Sequence, residues 1–456
     1  MQEYITELSK YAIAVLMTVH TFCSFLALSD RVEKSGVVHM VHTMLLFAVQ
    51  LLMFVDLALV TKDAWYVVFY VFVQAFLLAV SIMVPIVYEK ANRLLLDNMC
   101  LLSGTGLCII SRLYFHRAVK QYIIVLVSLT GALFIPWLLT RIRFLKKLTW
   151  VYAGVGITML SVVLILGEVT HGSRLSFTVF DVTFQPSEFV KIIFVFFLAA
   201  ALWENTSFQR VALTAVVAGI HVVVLVVSRD LGSALIFFVG YVFVVFGATK
   251  NYLYLLAGAL GGSGAAWGAF QLFSHVRNRV TAWLDPWSFI DTKGYAITQS
   301  LFAIGSGSWF GMGLSQGNPT AIPYVEADFI FSAVCEELGV IAGICIVLIS
   351  LACFLEILKI ASRIKDRFYQ LVVYGIGIMY IFQIFLTIGG GIKLIPLTGV
   401  TLPFISYGGS SVMTTMIMFF IIQGIYIRLQ QEGGKRHAGK TGRERERKNA
   451  GPHREA

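Results

Sequence analysis

The sequence predicts an all-α, polytopic membrane protein, and its composition is the first reason. Of the 456 residues, 58% are hydrophobic and only 13% are charged. Apolar runs of about 20 residues, the length that an α-helix needs to cross a bilayer, recur from one end of the chain to the other. This pattern excludes a soluble enzyme, and the length fits roughly a dozen spanning helices with their connections.

The apolar runs can be assigned to individual helices. Each run is bounded by polar, glycine- or proline-containing segments, and together they predict thirteen membrane spans. The spans lie at about 11–29, 37–60, 64–88, 96–113, 121–140, 149–168, 187–204, 211–228, 231–249, 252–273, 327–357, 369–390 and 411–427.

The charge of the connections predicts how the chain is oriented. The segment from Arg428 onward carries nine Lys or Arg residues against four Glu, and residues 431–456 are expected to form a basic, disordered cytoplasmic tail. Because thirteen spans put the two ends on opposite sides, the N-terminus is then outside. Lys90, Arg141 and Arg363 fall inside in this arrangement, as the positive-inside rule requires.

One connection disobeys that rule. YFHRAVKQ (114–121) contains Arg117 and Lys120 yet falls outside. Either a span is miscounted, or these cations serve an anionic group on the outer face. Loops that are long for a compact bundle are usually functional or disordered, so we expect the working face to be external. Three long segments are predicted on that face: 171–188, 274–326 and 391–410.

The motif FQPSEFVKI (184–192) places two charges near a helix start. Pro186 and Ser187 are typical of the first turn, and Glu188 and Lys191 share one face of the helix that follows. Charged groups at membrane depth are costly unless they are paired or hydrated. The pair is therefore either part of a substrate site or a structural ion pair.

The motif SRDLGSAL (228–235) predicts a tight turn between two spans. Taken alone, Asp230 is best explained as the N-cap of the second of these helices. Arg229 is suited to a different role, because the planar guanidinium group can bind a phosphate through two parallel hydrogen bonds.

A lone carboxylate marks the end of the longest outer segment. Asp328 lies where this segment meets an apolar helix, next to Phe329. Partly dry surroundings raise the pKa of a carboxyl group, which suits a general base near neutral pH. The alternative is that Asp328 only N-caps the helix. Glu336 and Glu337, two turns further along, are expected to pair with a cation or a hydrogen-bond donor.

The stretch PLTGVTLPFISYGGSS (396–411) puts a glycine- and proline-punctuated loop between two apolar segments. Backbone that is not helical at membrane depth must be buried in protein or line a wet cavity. Ser406, Tyr407, Ser410 and Ser411 could therefore bind a substrate. The alternative, favoured for at least two of them, is that they satisfy the backbone of the loop itself.

Taken together, these motifs resemble the SEDS family of bacterial cell-wall proteins, the RodA, FtsW and SpoVE group. The shared elements occur in the same order in both: FQPSEFVK, RDLGSA, LDP, AIGSG, ADFIF, EELG and PLTGVTLPFISYGGSS. The resemblance covers about residues 92–430 and implies a ten-helix catalytic membrane core. Residues 1–91, with about three additional spans, lie outside it and are interpreted as an accessory module, which could bind a partner protein.

The resemblance implies a peptidoglycan glycosyltransferase. Such an enzyme polymerises lipid II, an undecaprenyl-pyrophosphate-linked disaccharide peptide, with inversion, at the outer face of the bacterial cytoplasmic membrane, for elongation, division or sporulation. It implies a class B penicillin-binding protein as partner, and no nucleic acid. Two alternatives stay open: a lipid II flippase, and a non-catalytic scaffold that activates a penicillin-binding protein. The lack of visible internal repeats favours the enzyme over a transporter.

The resemblance also implies roles for individual residues. Asp328 matches the catalytic aspartate of the family, although Ala327 stands where the family has threonine. The leaving pyrophosphate needs to be neutralised and not protonated, so cations should line the site, and a divalent cation, Mg²⁺ or Mn²⁺, could assist. Among the cations, Arg174 and either Arg277 or Arg279 are expected to contribute most.

The remaining assignments are as follows. The predicted substrate-binding residues are Arg174, Glu188, Lys191, Arg229, Arg277, Arg279, Lys393, Ser406, Tyr407 and Ser410. The predicted supporting residues are Glu336, Glu337, Pro403, Gly408 and Gly409.

Overall fold

The computed structural model of the chain is an all-α bundle, as predicted. It describes the backbone of residues 2–29, 36–142, 144–170, 173–179 and 182–449, and the side chains of these except 2–3, 168–175, 178–179, 182 and 432–449. The helices are α1 (Gln2–Ala27), α2 (Gly36–Thr61), α3 (Ala64–Val87), α4 (Arg93–Leu113), α5 (Phe115–Ala132), α6 (Phe134–Arg141), α7 (Thr149–Leu166), α8 (Pro186–Leu202), α9 (Phe208–Val227), α10 (Leu231–Thr249), α11 (Leu253–Leu272), α12 (Ser274–Leu284), α13 (Tyr295–Gly307), α14 (Ile330–Arg363), α15 (Arg367–Gly391) and α16 (Gly409–Asn449).

Most of these helices are membrane-spanning in length. In the described part of the chain, twelve are long and apolar enough to cross a membrane. The predicted span that is not among these twelve is 187–204, which corresponds to α8; this helix has 17 residues and is about 26 Å long. Helix α8 packs against α7, α10 and α15 and is buried along most of its length, so it faces protein more than lipid.

Three segments differ from the prediction. The predicted outer segment 171–188 contains β2 (Ser173–Val179) and β3 (Val182–Phe184), which form a small antiparallel sheet with the preceding β1 (Glu168–Thr170), in the order β1-β2-β3. Polar and apolar residues alternate along β2, and Val, Thr and Phe favour strands. The span predicted at 121–140 begins at Phe115 and is divided into α5 and α6.

The C-terminal tail is the third difference. Helix α16 continues to Asn449, although the part that is apolar enough to cross a membrane ends at Gln431. The backbone of the tail is therefore helical where the sequence predicted disorder. The tail is rich in Glu, Lys and Arg, which have high helix propensities. Residues 450–456 lie outside the described part of the chain.

Polar contacts identify the two ends of the bundle. At one end, Arg117 at the start of α5 forms an ion pair with Glu326, just before α14. At the other end, the Nδ2 of Asn92, before α4, donates to the Oε1 of Glu356 in α14 at 2.7 Å. The unusual basic connection 114–121 therefore lies at the same end as residues 326–328.

Helix α14 is interrupted once. Gly339 has φ 88° and ψ 165°, which is outside the helical region. Residues 308–313, which follow α13 and which we call the strap, pack into this interruption. A Cβ atom at position 339 would lie 2.3 Å from the carbonyl oxygen of Trp309, so both the backbone angle and the close approach require glycine here.

Candidate active site

Asp328 lies in the turn that leads into α14. Its backbone N–H donates to the carbonyl of Tyr324 at 3.0 Å. The N-cap residue of α14 is Phe329, and no side chain makes a capping hydrogen bond there. The interpretation of Asp328 as a helix N-cap is therefore wrong. The Asp328 side chain is half-buried, so its carboxylate keeps access to the space in front of it.

Arg279 faces the same space as Asp328. A Cβ atom at Gly399 would lie 3.7 Å from the Nη2 of Arg279 and 3.8 Å from the Oδ2 of Asp328. The Nη1 of Arg279 donates to the carbonyl of Thr398 at 3.1 Å, which ties α12 to the 396–411 loop. Gly399 has φ 73°, and the absence of a side chain there leaves room between the two charges.

The electrostatics of this pair suit proton transfer. Burial raises the pKa of Asp328 to about 6, while Arg279 lowers it and the carboxylate of Glu326 raises it. Burial lowers the pKa of Arg279, and Asp328 and Asp230 oppose that effect. Asp328 is therefore largely ionised at neutral pH but keeps enough basicity to accept a proton.

Asp230 joins two helices next to this pair. It is the N-cap of α10, and its Oδ1 accepts from the Ser233 N–H at 3.0 Å, so the capping interpretation is confirmed. Its Oδ2 accepts from the Ser187 hydroxyl at 3.1 Å and from the Gln185 amide at 3.3 Å. Asp230 therefore holds the start of α8 to the start of α10.

The basic connection 114–121 supplies a contact that the sequence indicated only by its unusual charge. Arg117 pairs with Glu326, and the backbone carbonyl of Glu326 accepts from the Tyr407 N–H at 2.8 Å. The Arg117 guanidinium also lies 5.8 Å from the centre of the Tyr407 ring. The anionic group that Arg117 serves is thus a side chain of the protein, two residues before Asp328.

The serines of the 396–411 loop bind the protein itself. Ser406 donates to the carbonyl of Ala327 at 2.6 Å and accepts from the Leu402 N–H at 2.8 Å. Ser410 donates to the carbonyl of Thr183 at 3.1 Å. These contacts fit the structural alternative for both residues, because each hydroxyl satisfies buried backbone.

Tyr407 and Ser410 nevertheless border a cavity of about 380 Å³. Lys120 and Ile123 of α5 form part of its wall, together with the half-buried Gly408 and Gly409. The cavity combines polar and apolar groups. Pro403, the other loop residue predicted to be structural, is buried.

Glu188 and Lys191 form a buried ion pair at 2.7 Å. Lys191 is fully buried and also donates to the Oε1 of Gln383 at 2.6 Å. The amide of Gln383 in turn donates to the carbonyl of Thr401 at 2.9 Å. In this conformation Lys191 cannot contact a substrate. The geometry matches the structural interpretation, because the pair supports the 396–411 loop through Gln383.

We expect Lys191→Met to lower the stability of the protein by about 3–5 kcal/mol, because it leaves the Glu188 carboxylate buried without its cation. The measurement is thermal unfolding in detergent. The Glu188→Gln/Lys191→Met double variant removes both charges and should recover most of the loss. An equal loss in the single and double variants would contradict the role of the ion pair.

The other predicted cations are distributed unevenly. Arg277 is exposed, and its Nη2 donates to the carbonyl of Gln271 at 2.9 Å, so its side chain is held against the end of α11. Burial lowers the pKa of His275 most, and the positive charges of Arg279 and Arg229 lower it further. The three side chains therefore lie in one positive region. Nothing in the chemistry of His275 had singled it out in the sequence.

Two further predicted cations lie elsewhere. The carbonyl of Lys393 accepts from the Nε1 of Trp283 at 3.1 Å. Hydrogen bonds from Ser288 lower the pKa of Asp285 and burial raises it, and the ammonium group of Lys393 adds a smaller lowering effect. Lys393 is thus close to the end of α12. Arg174 is in β2, and its side chain lies outside the described residues.

Glu336 and Glu337 have the partners that the sequence predicted. Glu337 pairs with Arg112 of α4 at 2.9 Å, and the Oε1 of Glu336 accepts from the Asn318 N–H at 2.8 Å. Arg112 also donates to the carbonyl of Gly317 at 3.1 Å. These contacts fix the first part of α14 against α4 and the segment after the strap.

Comparison with known proteins places this site in a family. The family model FTSW_RODA_SPOVE, described as cell cycle protein, matches residues 102–431, well over half of the chain. The chain belongs to the SEDS family. The resemblance inferred from the motifs is therefore confirmed, while α1–α3 and the start of α4 lie outside the matched region of this SEDS protein.

Several SEDS relatives cover most of the chain. Peptidoglycan glycosyltransferase RodA of Mycobacterium tuberculosis strain H37Rv is 31% identical over 361 residues, which is 73% of this chain and 77% of the relative. Stage V sporulation protein E of Bacillus subtilis is 35% identical over 261 residues, 56% of this chain and 71% of the relative.

Solved structures agree with the SEDS assignment. One, described as the structural coordination of polymerization and crosslinking by a peptidoglycan synthase complex, matches with a TM-score of 0.64 and 25% identity over 74% of this chain and 98% of that chain. The rod shape determining protein RodA of Thermus thermophilus matches with a TM-score of 0.53 and 24% identity over 73% of this chain and 95% of that chain, which supports the fold.

The described residues do not form a metal site of their own. Within the described residues, no group of three His, Cys, Asp or Glu side chains is arranged to hold a metal ion. The two carboxylates that act on Asp328 and Arg279 are engaged, since Glu326 pairs with Arg117 and Asp230 accepts from Ser187. The Mg²⁺ or Mn²⁺ ion stays a prediction, and the positive charge next to Asp328 comes from arginine.

Proposed function

We propose that this SEDS protein is a peptidoglycan glycosyltransferase that polymerises lipid II into glycan strands with inversion at the anomeric carbon. Relatives with about 30% identity, including the Mycobacterium tuberculosis protein, carry the name peptidoglycan glycosyltransferase RodA. Their names support the reaction class. Elongation, division and sporulation are all compatible with it.

The observation that carries the proposal is that Asp328 and Arg279 face the same space beside Gly399. The reaction needs one base, because the 4-hydroxyl of the acceptor sugar must lose a proton as its oxygen attacks the anomeric carbon of the donor. Asp328 accepts that proton. The new glycosidic bond forms as the bond from the anomeric carbon to the pyrophosphate breaks, and undecaprenyl pyrophosphate leaves with the electron pair.

The leaving group determines what else the site must provide. A pyrophosphate is already anionic, so it needs stabilising charge and no second carboxylic acid. Arg279 can provide this charge next to the base, and Arg229 lies in the same positive region near His275. We assign pyrophosphate binding to Arg279 and Arg229, and we assign no substrate contact to Arg277.

The orientation follows from the same proposal. Lipid II is polymerised at the outer face, so the Asp328 end of the bundle faces outward and the basic end of α16 faces the cytoplasm, in accord with the positive-inside rule. The polyprenyl chain stays in the bilayer while the sugars reach the site. The cavity at Tyr407 has polar and apolar walls that suit such an amphipathic molecule.

We also propose a class B penicillin-binding protein as partner. A solved SEDS-like structure with a TM-score of 0.64 is described as a peptidoglycan synthase complex that coordinates polymerization and crosslinking. A polymerase and a crosslinking enzyme act on successive states of the same strand, so their association has a chemical reason.

The test is an assay of purified protein with lipid II, with and without the partner. We expect glycan strands that a muramidase degrades. A parallel measurement follows labelled lipid II across vesicles that contain the protein alone. Transport of lipid II without polymerisation would establish the flippase alternative. Strand formation that depends on the active site of the partner, and not on that of this protein, would establish the scaffold alternative.

A further inference from the structure

We propose that helix α1 is a positioning element of the active site, which acts on Asp328 through the strap at residues 308–313; this inference rests on the proposed function. Helix α1 belongs to the accessory segment and lies outside the matched region 102–431. The geometry links it to Asp328 in three steps.

The first step is the insertion of the strap into α14. The Met312 N–H donates to the carbonyl of Glu336 at 2.8 Å, and the Val340 N–H donates to the carbonyl of Ser308 at 2.9 Å. The strap thus satisfies backbone groups that the interruption at Gly339 leaves without helical partners. The two parts of α14 are joined by backbone hydrogen bonds to the strap.

The second step is the rigidity of the helix between the strap and Asp328. Residues 330–338 form the first part of α14, and every side chain in this stretch is buried. Glu337 is held by Arg112, and Glu336 by the Asn318 backbone. A short, fully packed helix moves as a unit, so a shift of the strap at one end is transmitted to Asp328 at the other.

The third step is the contact of α1 with the strap. The rings of Tyr11 and Phe310 pack with their centroids 4.9 Å apart and tilted by 59°. A Cβ atom at Gly313 would lie 3.5 Å from the Cγ2 of Thr6, so the strap passes close to the first turns of α1. The protein does not cover the other side of the strap, where the Trp309 side chain is 62% exposed.

Helix α1 is itself anchored to the core. Ser24 of α1 donates to the Oδ1 of Asn98 in α4 at 2.9 Å. His42 of α2 lies 3.2 Å from Asp97 in the same helix α4, and the His20 and His42 rings stack with centroids 3.8 Å apart. This buried polar network fixes α1 and α2 against α4, so α1 is a firm support for the strap.

The test compares variants of Tyr11 in the complete protein with lipid II. We expect Tyr11→Ala to lower kcat about tenfold with KM unchanged, since a displacement of about 1 Å near the reacting atoms can cost about 100-fold. The acid limb of its pH–rate profile should move upward, because Asp328 would move away from the positive charge of Arg279, which lowers its pKa, while Glu326 stays near.

Matched controls separate positioning from simple destabilisation. Tyr11→Phe keeps the ring and should retain the kcat and the pH profile of the wild type. Tyr4, in the same helix, is 81% exposed, so Tyr4→Ala should change neither kcat nor the pH profile. Phe310→Ala removes the same contact from the strap side. The Tyr11→Ala/Phe310→Ala double variant should be no worse than either single variant.

Several outcomes overturn the inference. It fails if Tyr11→Ala and Phe310→Ala keep the wild-type kcat and acid limb, if only KM changes, or if their effects on kcat are additive. It also fails if the lost activity equals the lost folded fraction in thermal unfolding. A wild-type protein that makes no glycan strands would overturn the proposed function instead, and that result is visible before any variant is compared.

Discussion

Asp328→Asn is expected to abolish glycan polymerisation while the protein stays folded. The amide has nearly the same shape as the carboxylate but cannot accept the proton of the acceptor hydroxyl. General-base catalysis contributes about 10²–10⁴-fold to rates, so kcat should fall by at least about 100-fold. The measurement is the rate of strand formation from lipid II with the partner present, together with lipid II binding, which should persist.

The stability of this variant should be equal to or higher than that of the wild type at neutral pH. Burial raises the pKa of Asp328 from 3.8 to about 6 in the folded protein. The raised pKa makes the carboxyl group favour folding below about pH 4, and this contribution is lost as pH rises through about 6. Asparagine carries no charge at any of these pH values and avoids that loss.

The pH dependence gives an independent check on the same residue. The base must be ionised, so the wild-type rate should rise with pH and level off above about 6. Asp291→Asn, at an exposed aspartate of the same outer segment, is the matched control and should leave rate and profile unchanged. Strand formation by Asp328→Asn at the wild-type rate would remove the proposed base.

The sequence was sufficient to find Asp328, because a lone carboxylate at the start of an apolar helix is conspicuous against its surroundings. It could not decide between a base and a helix cap. That distinction depends on where the first helical turn begins, and the structure puts the N-cap at Phe329. Helix boundaries are uncertain by a residue or two in any sequence pattern, and here one residue decides the role.

The same limit applies to the charged pairs. The depth of Glu336 and Glu337 in an apolar helix predicted that they need partners, but Arg112 lies more than two hundred residues away along the chain, so only the fold reveals it. The ion pair of Glu188 and Lys191 was visible from its spacing. Its full burial was not, because that depends on how α8 is enclosed by α7, α10 and α15.

The interruption of α14 had no clear signal. Gly339 lies within an apolar run predicted as one span, and isolated glycines are common in membrane helices. The strap fills the interruption at Gly339 but is separated from it in the sequence by residues 314–329 and the first part of α14. Backbone hydrogen bonds between such segments leave no periodic pattern in the sequence. The fold class could be predicted from hydropathy, whereas the support of the catalytic turn could not.

Arg279→Gln is expected to have the second largest effect, a loss of about 100-fold in kcat. Removing one preorganised charge donor from a site that stabilises a developing anion typically costs about 10²–10³-fold. The loss of the cation should also raise the pKa of Asp328, because the positive charge of Arg279 favours the ionised carboxylate in the wild type. The acid limb of the rate profile should therefore move above pH 6. The measurement is kcat as a function of pH, with Arg279→Lys expected to recover part of the rate.

Arg277→Gln is the control that the chain itself offers. The two arginines are two residues apart on α12, and this spacing turns their side chains toward different sides of the helix. Arg279 reaches Thr398 and the space beside Asp328, whereas Arg277 is exposed and bonded to the Gln271 carbonyl. If charge in front of Asp328 is what the reaction needs, only Arg279→Gln changes kcat and the acid limb. Equal losses in both variants would mean that general positive charge on the outer segment matters, and that the geometry beside Gly399 does not.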